Sequence, residues 1–218
     1  RYVPREAVER RLLDHMNCGD IVSSLLMVGP RGGGKSTVVK KVLHDRGMVV
    51  YVRLTIEFNT IEKCVRKKLG LPADGEPLEL ADVFKGVQSL SSPSKRPILV
   101  VEIDSNVSAD KVRTQSQELK DLCSDRKFLQ GFLVLSDANA ALHLNPDPDR
   151  QDLIFVGDLS FDEMNLYLNK RHVLPTRGEA TETSRALRRR FFDEFGAIPM
   201  MLADAADKVE TAAEEAVR

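Results

Sequence analysis

Short apolar runs and longer amphipathic stretches alternate along the first three quarters of the chain. Leu25-Leu26-Met27-Val28 is a compact apolar run, suited to a strand buried on both faces of a parallel sheet. The same kind of run returns at Val49-Val50-Tyr51-Val52-Arg53-Leu54, at Ile98-Leu99-Val100-Val101-Glu102-Ile103, at Phe132-Leu133-Val134-Leu135 and at Leu153-Ile154-Phe155-Val156. These segments predict five strands, the first over about Ser23–Val28. Between them the period changes to that of a helix. An opening helix is predicted over Glu6–Asn17. Val38, Val39, Val42 and Leu43 recur at helical spacing, and Ile61, Cys64, Val65 and Leu69 share one face of another helix that Gly70-Leu71-Pro72 breaks. A further helix is expected over Leu78–Leu90. The stretch Ser108–Asp125 is polar enough to read as a solvent-facing helix. Strand and helix in alternation predict βαβ units, hence an α/β fold with a five-stranded, mostly parallel sheet and helices on both faces.

Near Leu159 the pattern becomes helical only. Ser160 with Glu163 forms a capping box at a helix start, and Phe161, Met164 and Leu168 line that helix's apolar face. A longer helix is expected over Ala180–Phe195, stopped by Gly196, and Pro199 suits the first turn of a last one. The expected organisation is therefore a core over residues 1–159 and a small all-helical lobe over residues 160–218. Ser91–Pro97 and Asn145–Arg150 read as loops by composition.

Composition narrows the class. With 218 residues, 42% hydrophobic and 30% charged, the chain is long enough for one α/β domain with a small appended lobe. A net charge of -1 gives no global electrostatic support for a nucleic-acid partner, although a local basic patch remains compatible with one. No apolar run reaches the roughly 18–20 residues of a membrane span. Cys18, Cys64 and Cys123 are scattered and odd in number, which suits reduced thiols and an intracellular compartment. The four histidines, His15, His44, His143 and His172, form no ligand spacing. The chain opens on Arg1 rather than Met, as an excised piece would, so a removed targeting segment would leave no trace.

The strongest chemical signal lies between the first strand and the helix that follows. Gly29-Pro30-Arg31-Gly32-Gly33-Gly34-Lys35-Ser36 fits the phosphate-binding pattern G-x-x-x-x-G-K-[ST]. Glycines let consecutive backbone N–H groups face an anion, and the helix N-terminus adds its positive end. Gly29 through Ser36, with Thr37 next in the helix, are the candidate phosphate contacts. Lys35 would reach the β- and γ-phosphates, and the Ser36 hydroxyl would ligate Mg²⁺. The metal's second holder is expected at the C-terminal end of the apolar strand Ile98–Ile103. Asp104 and Glu102 both qualify, and two-residue spacing puts them on one face. Asp104 is favoured; Glu102, a charge inside an apolar strand, stays open.

The order of these motifs, with the acidic strand second after the glycine loop, resembles the additional-strand division of P-loop NTPases that holds the AAA+ and STAND ATPases. Val3-Pro4-Arg5-Glu6 looks like the opening F/Y-V-x-R-E of those families, and Phe195-Gly196-Ala197-Ile198-Pro199 looks like the G-G-x-P element that opens their last lid helix. The resemblance spans nearly the whole chain. It implies ATP and Mg²⁺ as ligands, Arg5 near the adenine, Ser136 (or Asn139) as the polar sensor at the end of the fourth strand, and the helical lobe as a lid. It implies a slow ATPase that acts as a nucleotide-controlled switch, with a protein partner or oligomer. The absence of N-K-x-D or S/T-K-x-D disfavours guanine. One departure stands out. Those families place a glutamate directly after the metal-side acid, whereas Ser105 follows Asp104 here and Ile103 follows Glu102. Hydrolysis would then be slow, use Glu102, or need a partner. A scaffold that binds ATP without hydrolysing it, or a nucleic-acid-handling ATPase akin to origin-recognition proteins, are the alternatives. Arg150 is a weak finger candidate, and the run Arg185, Arg188, Arg189 and Arg190 would supply any lid sensor or nucleic-acid contact.

Overall fold

The computed structural model describes residues 2–17, 24–72, 75–89, 96–135, 141, 144, 151–171 and 182–204. In chain order the elements are α1 (Glu6–Asn17), β1 (Ser24–Val28), α2 (Lys35–Val42), β2 (Val49–Leu54), α3 (Ile61–Leu69), α4 (Leu80–Ser89), β3 (Ile98–Ile103), α5 (Ala109–Lys120), β4 (Gln130–Leu135), β5 (Gln151–Phe155), α6 (Phe161–Arg171) and α7 (Glu182–Phe195). A short α8 occupies residues 199–204.

The five strands form one sheet in the order β2-β3-β4-β1-β5, and every pairing is parallel. The glycine-loop strand β1 is buried along its whole length because β4 and β5 flank it and helices cover both faces. β4 lies between β1 and the acidic strand β3. The pleat of β3 sorts its side chains. Leu99, Val101 and Ile103 enter a large cluster with residues of α3, α4 and α5, whereas Ile98 and Val100 enter a second cluster with α1 and α2. Apart from Glu102 the strand is apolar, because both of these faces are filled.

Two expectations need correction. The polar stretch 108–125 is not a solvent-facing helix. Val112, Gln115, Ser116, Leu119 and Lys120 of α5 are buried, as are Leu122 and Cys123 in a π-helical turn over Asp121–Asp125. Its apolar residues are few but share one stripe, and a polar group completes the contact, since Gln115 Oε1 accepts the Ile61 N–H at the start of α3. The approach to β4 is tight. A Cβ on Gly131 would lie 2.5 Å from Cys123 Sγ. Average polarity hid a narrow buried face. Leu69, placed by its spacing on the apolar face of α3, is 52% exposed, because the helix ends beside it at the left-handed Gly70.

A third cluster gathers Val3, Leu159, Met164, Tyr167, Ala197 and Leu202, with Phe161, Leu168 and Phe192 packed against it. It joins α6, α7 and α8 to the N-terminal segment. The capping box forms as its sequence requires: Glu163 Oε2 accepts the Ser160 N–H at 2.7 Å, and Ser160 Oγ accepts the Glu163 N–H at 3.2 Å. Gly196 takes φ +69° just past α7, and Ala197 O accepts the Leu159 N–H at 2.9 Å.

Candidate functional site

The turn from β1 into α2 is built for close approach. Gly29 takes φ +149°, and a Cβ there would lie 2.0 Å from the Val156 carbonyl oxygen. Gly32 takes φ +78° and Gly34 φ +86°, backbone that a side chain would strain. Gly34 is also the residue before α2, and no side chain caps that helix. Its first-turn N–H groups therefore point into the loop. Lys35 is buried at the bottom, and its Nζ donates to the carbonyls of Gly29 at 2.8 Å and Pro30 at 2.7 Å.

This loop opens onto a cavity of about 420 Å³. Arg31, Lys35, Ser36 and Thr37 line one side of it, Asp104, Ser105 and Asn106 line the β3 end, and Arg53 joins from β2. Asp104 is the one carboxylate among the described lining residues. Its N–H donates to Leu54 O at 3.1 Å, which fastens it to the end of β2. Its Oδ1 accepts from Arg53 Nε at 2.8 Å and from Arg53 Nη2 at 2.7 Å. That pair holds the Arg53 guanidinium protonated even more firmly than usual. Glu102 is elsewhere. It pairs in register with Arg53 and Val134, and its carboxylate lies 3.8 Å from Lys40 Nζ of α2, so it does not line the cavity. The two acids open in the sequence are separated here. Ser136, Asn139 and Arg150 lie outside the described residues.

A second cavity, of about 270 Å³, lies on the other side of the same loop. It shares Gly32, Gly34 and Thr37 with the first, and Tyr2, Val3, Leu159, Tyr167, Pro199 and Met200 make its wall largely apolar. Arg5 borders it but faces backbone. Its guanidinium donates to the carbonyls of Gly33 at 3.0 Å, Gly157 at 2.9 Å and Asp158 at 2.7 Å, with the Glu163 carboxylate 3.7 Å away. One buried side chain thus ties the N-terminal segment, the glycine loop and the end of β5 together. The Glu9 carboxylate fixes the segment itself, accepting the Arg5 N–H and the Tyr2 hydroxyl. Burial and that carboxylate push the Tyr2 phenol well above its ordinary range.

Sequence reasoning missed Arg53, Asn106, Tyr167 and Met200. A signal existed for Arg53, a charge one residue from the end of an otherwise apolar strand, at the sheet edge where the glycine loop and Asp104 also lie. None existed for Met200, whose own Cβ lies 2.5 Å from the position a Cβ on Gly32 would occupy. Neither Arg188 nor Arg189 lines either cavity. Arg188 donates to Asn165 and Asn169, and Arg189 pairs with Asp193 and stacks near Phe161 and Phe192.

The donor set fits a magnesium nucleotide. A cradle in which Gly29, Gly32 and Gly34 take positive φ offers backbone amides and one ammonium to phosphate, and a hydroxyl and a carboxylate share the cavity as hard oxygen ligands. No helix among the described residues is long and apolar enough to cross a membrane.

No family model and no curated protein matches this chain. Solved structures do. The Walker-type ATPase of Pyrococcus abyssi superposes with a TM-score of 0.58 at 15% identity, over 92% of this chain and 65% of its own. The ORC1 protein of Aeropyrum pernix in complex with DNA gives 0.57 at 17% identity, over 98% and 63%. A signal transduction ATPase with numerous domains, with a tetratricopeptide repeat sensor, from Pyrococcus horikoshii gives 0.54 at 10% identity, over 92% and 29%. This chain therefore spans less than two thirds of each. These likenesses establish the fold alone, an α/β fold of the P-loop NTPase type.

Proposed function

We propose that this chain binds ATP with Mg²⁺ and hydrolyses it slowly, as a nucleotide-controlled switch. The observation that carries the reading is the glycine cradle between β1 and α2, with Lys35 beneath it and Asp104 facing it across one cavity. The triphosphate would lie over Gly29–Thr37, held by loop amides and Lys35. The purine would enter the apolar cavity beside Val3, Tyr167 and Met200, close to the Arg5 clamp. Ser36 and Asp104 would hold Mg²⁺, which supplies charge neutralisation between the phosphates when bound. Lys35 and the α2 N-terminus would stabilise the negative charge that develops as water attacks the γ-phosphorus. A polar group in the place of Ser136 would orient that water.

The two regions of the chain, residues 1–159 and 160–218, would act as core and lid. The lid's α8 rests on Gly32 through Met200, and Pro199 approaches Gly34, so a change at the phosphates has a direct path into the helical lobe. A protein partner or a second copy would read that change.

Slow turnover follows from Ser105, which stands where the related ATPases have a water-polarising glutamate, and from Glu102, which sits against Lys40. The same observation favours a second reading, a scaffold that holds ATP without hydrolysing it. DNA handling, suggested by the DNA-bound ORC1 neighbour and the arginines of α7, is the third. Calorimetric titration with ATP, ADP and GTP in the presence of Mg²⁺, with steady-state phosphate release, tests the assignment. ATP binding with slow release supports the switch. Binding without release supports the scaffold, and no binding of any nucleotide overturns both.

A further inference from the structure

Arg53 is the charged strand residue at the cavity that the proposed reaction does not use. Its position follows from the pleat. Val52 and Leu54 are buried in the cluster under α3 and α4, so Arg53 projects to the α2 side, at the C-terminal end of the edge strand. Parallel pairing sets it beside Glu102, and its guanidinium reaches two residues on to Asp104. Both of its contacts go to a single carboxylate oxygen, Oδ1. The Arg53 side chain is 66% exposed and that of Asp104 20%, so the guanidinium half of the pair is solvated and its contribution to stability is screened. It is nevertheless the partner a metal at Asp104 would have to displace.

We propose that Arg53 exchanges partners when a magnesium nucleotide binds, giving up Asp104 and taking the outermost phosphate of a nucleoside triphosphate. The inference rests on the nucleotide-binding reading above and adds a discriminator between triphosphate and diphosphate. The charge balance drives the exchange. Arg31, Lys35 and Arg53 line the cavity against one carboxylate, so once a divalent cation engages Asp104 the guanidinium loses its hydrogen-bond acceptor, keeps only the field of neighbouring Glu102, and is open to a phosphate oxygen. Arginine's planar fork matches two phosphate oxygens, a bidentate arrangement that the shared Asp104 Oδ1 does not provide. ADP lacks the outermost phosphate, so with ADP the exchange loses its second half. The end of β2 would then report which nucleotide is bound.

The test is calorimetric titration of ATP and ADP into the wild-type chain, Arg53→Ala and Arg53→Lys, at saturating Mg²⁺, with a Mg²⁺ titration at fixed ADP. Arg53→Ala should reduce the preference for ATP over ADP by about tenfold, which is the loss of roughly 1.4 kcal/mol from one nucleotide only. It should also lower the Mg²⁺ concentration needed for half-saturation with ADP, because Asp104 no longer has a competing cation. Arg53→Lys should keep part of the ATP preference. Thermal unfolding without nucleotide should change little, since the side chain is exposed. An unchanged ATP-to-ADP ratio in Arg53→Ala, or equal weakening of both nucleotides, overturns the exchange. If the wild type binds neither nucleotide, the binding reading itself fails, and that failure is visible before any variant is made.

Discussion

The two cavities that flank the glycine loop share Gly32, Gly34 and Thr37 yet have opposite chemistry. On the sheet side three cations and one carboxylate meet at strand ends. On the lobe side an aromatic and aliphatic wall surrounds a guanidinium whose donors are directed at backbone carbonyls. A ligand that spanned both would match them by being anionic at one end and apolar at the other. The contrast also separates two kinds of binding. Charge on the sheet side can discriminate phosphate number, whereas apolar burial on the lobe side contributes equally to every nucleotide with the same base.

The largest effect should come from the charged side. Lys35→Ala should lower ATP affinity by about a hundredfold or more, since charged hydrogen bonds contribute about 1.5–3 kcal/mol each. Calorimetry reads this directly, and undiminished affinity would remove the phosphate assignment. Arg5→Ala breaks the division between the cavities in another way. Three carbonyls lose a buried donor, which should cost about 3 kcal/mol or more of stability, seen as a lower denaturant midpoint. Because Gly33 is one of those carbonyls, ATP affinity should fall too. Met200→Ala tests the apolar side. The side chain is exposed enough to be removed without unfolding, and affinity should drop about fivefold, by the same factor for ATP and ADP. A loss confined to ATP would contradict the uniform role given to that wall.

The smallest effect belongs to a control remote from both cavities. Burial, with help from nearby Glu62 and Asp121, raises the Glu118 carboxyl above the ordinary value of 4.5. A raised carboxyl means that the folded state takes up its proton first on acidification. Its charge therefore lowers stability near neutral pH, and that deficit disappears as pH falls towards 4.5. Glu118→Gln should raise Tm modestly at pH 7, lose that advantage in acid, and leave nucleotide affinity unchanged. A matching change in ATP affinity would show that the α5 face is coupled to the loop.

Much of this was legible in the chain. The strands Val49–Leu54 and Ile98–Ile103 coincide with the apolar runs that announced them, and Glu6–Asn17 with its helical period. The strands read clearly because four apolar residues precede the single charge in each, Arg53 or Glu102, and the helix because its buried residues keep one face. The stretch 108–125 read poorly because its buried face is one stripe that includes three polar side chains, Gln115, Ser116 and Lys120, which no hydrophobicity average reveals. The glycine loop and Asp104 were both named from spacing. The choice between Asp104 and Glu102 stayed open, because a two-residue interval gives the same face but not the same depth.

The sequence by itself determined the β1–α2 turn, because such a turn consists of backbone conformation, and closely spaced glycines encode that conformation locally. It also determined the parallel α/β order, through the alternation of periods. Only the tertiary structure decided what surrounds the turn. Parallel pairing brings Arg53 onto Asp104 across 51 residues, and the return of the chain past β5 places Gly157 and Asp158 under Arg5 across more than 150. Such contacts join groups on separate elements, so no local pattern carries them until the sheet is assembled.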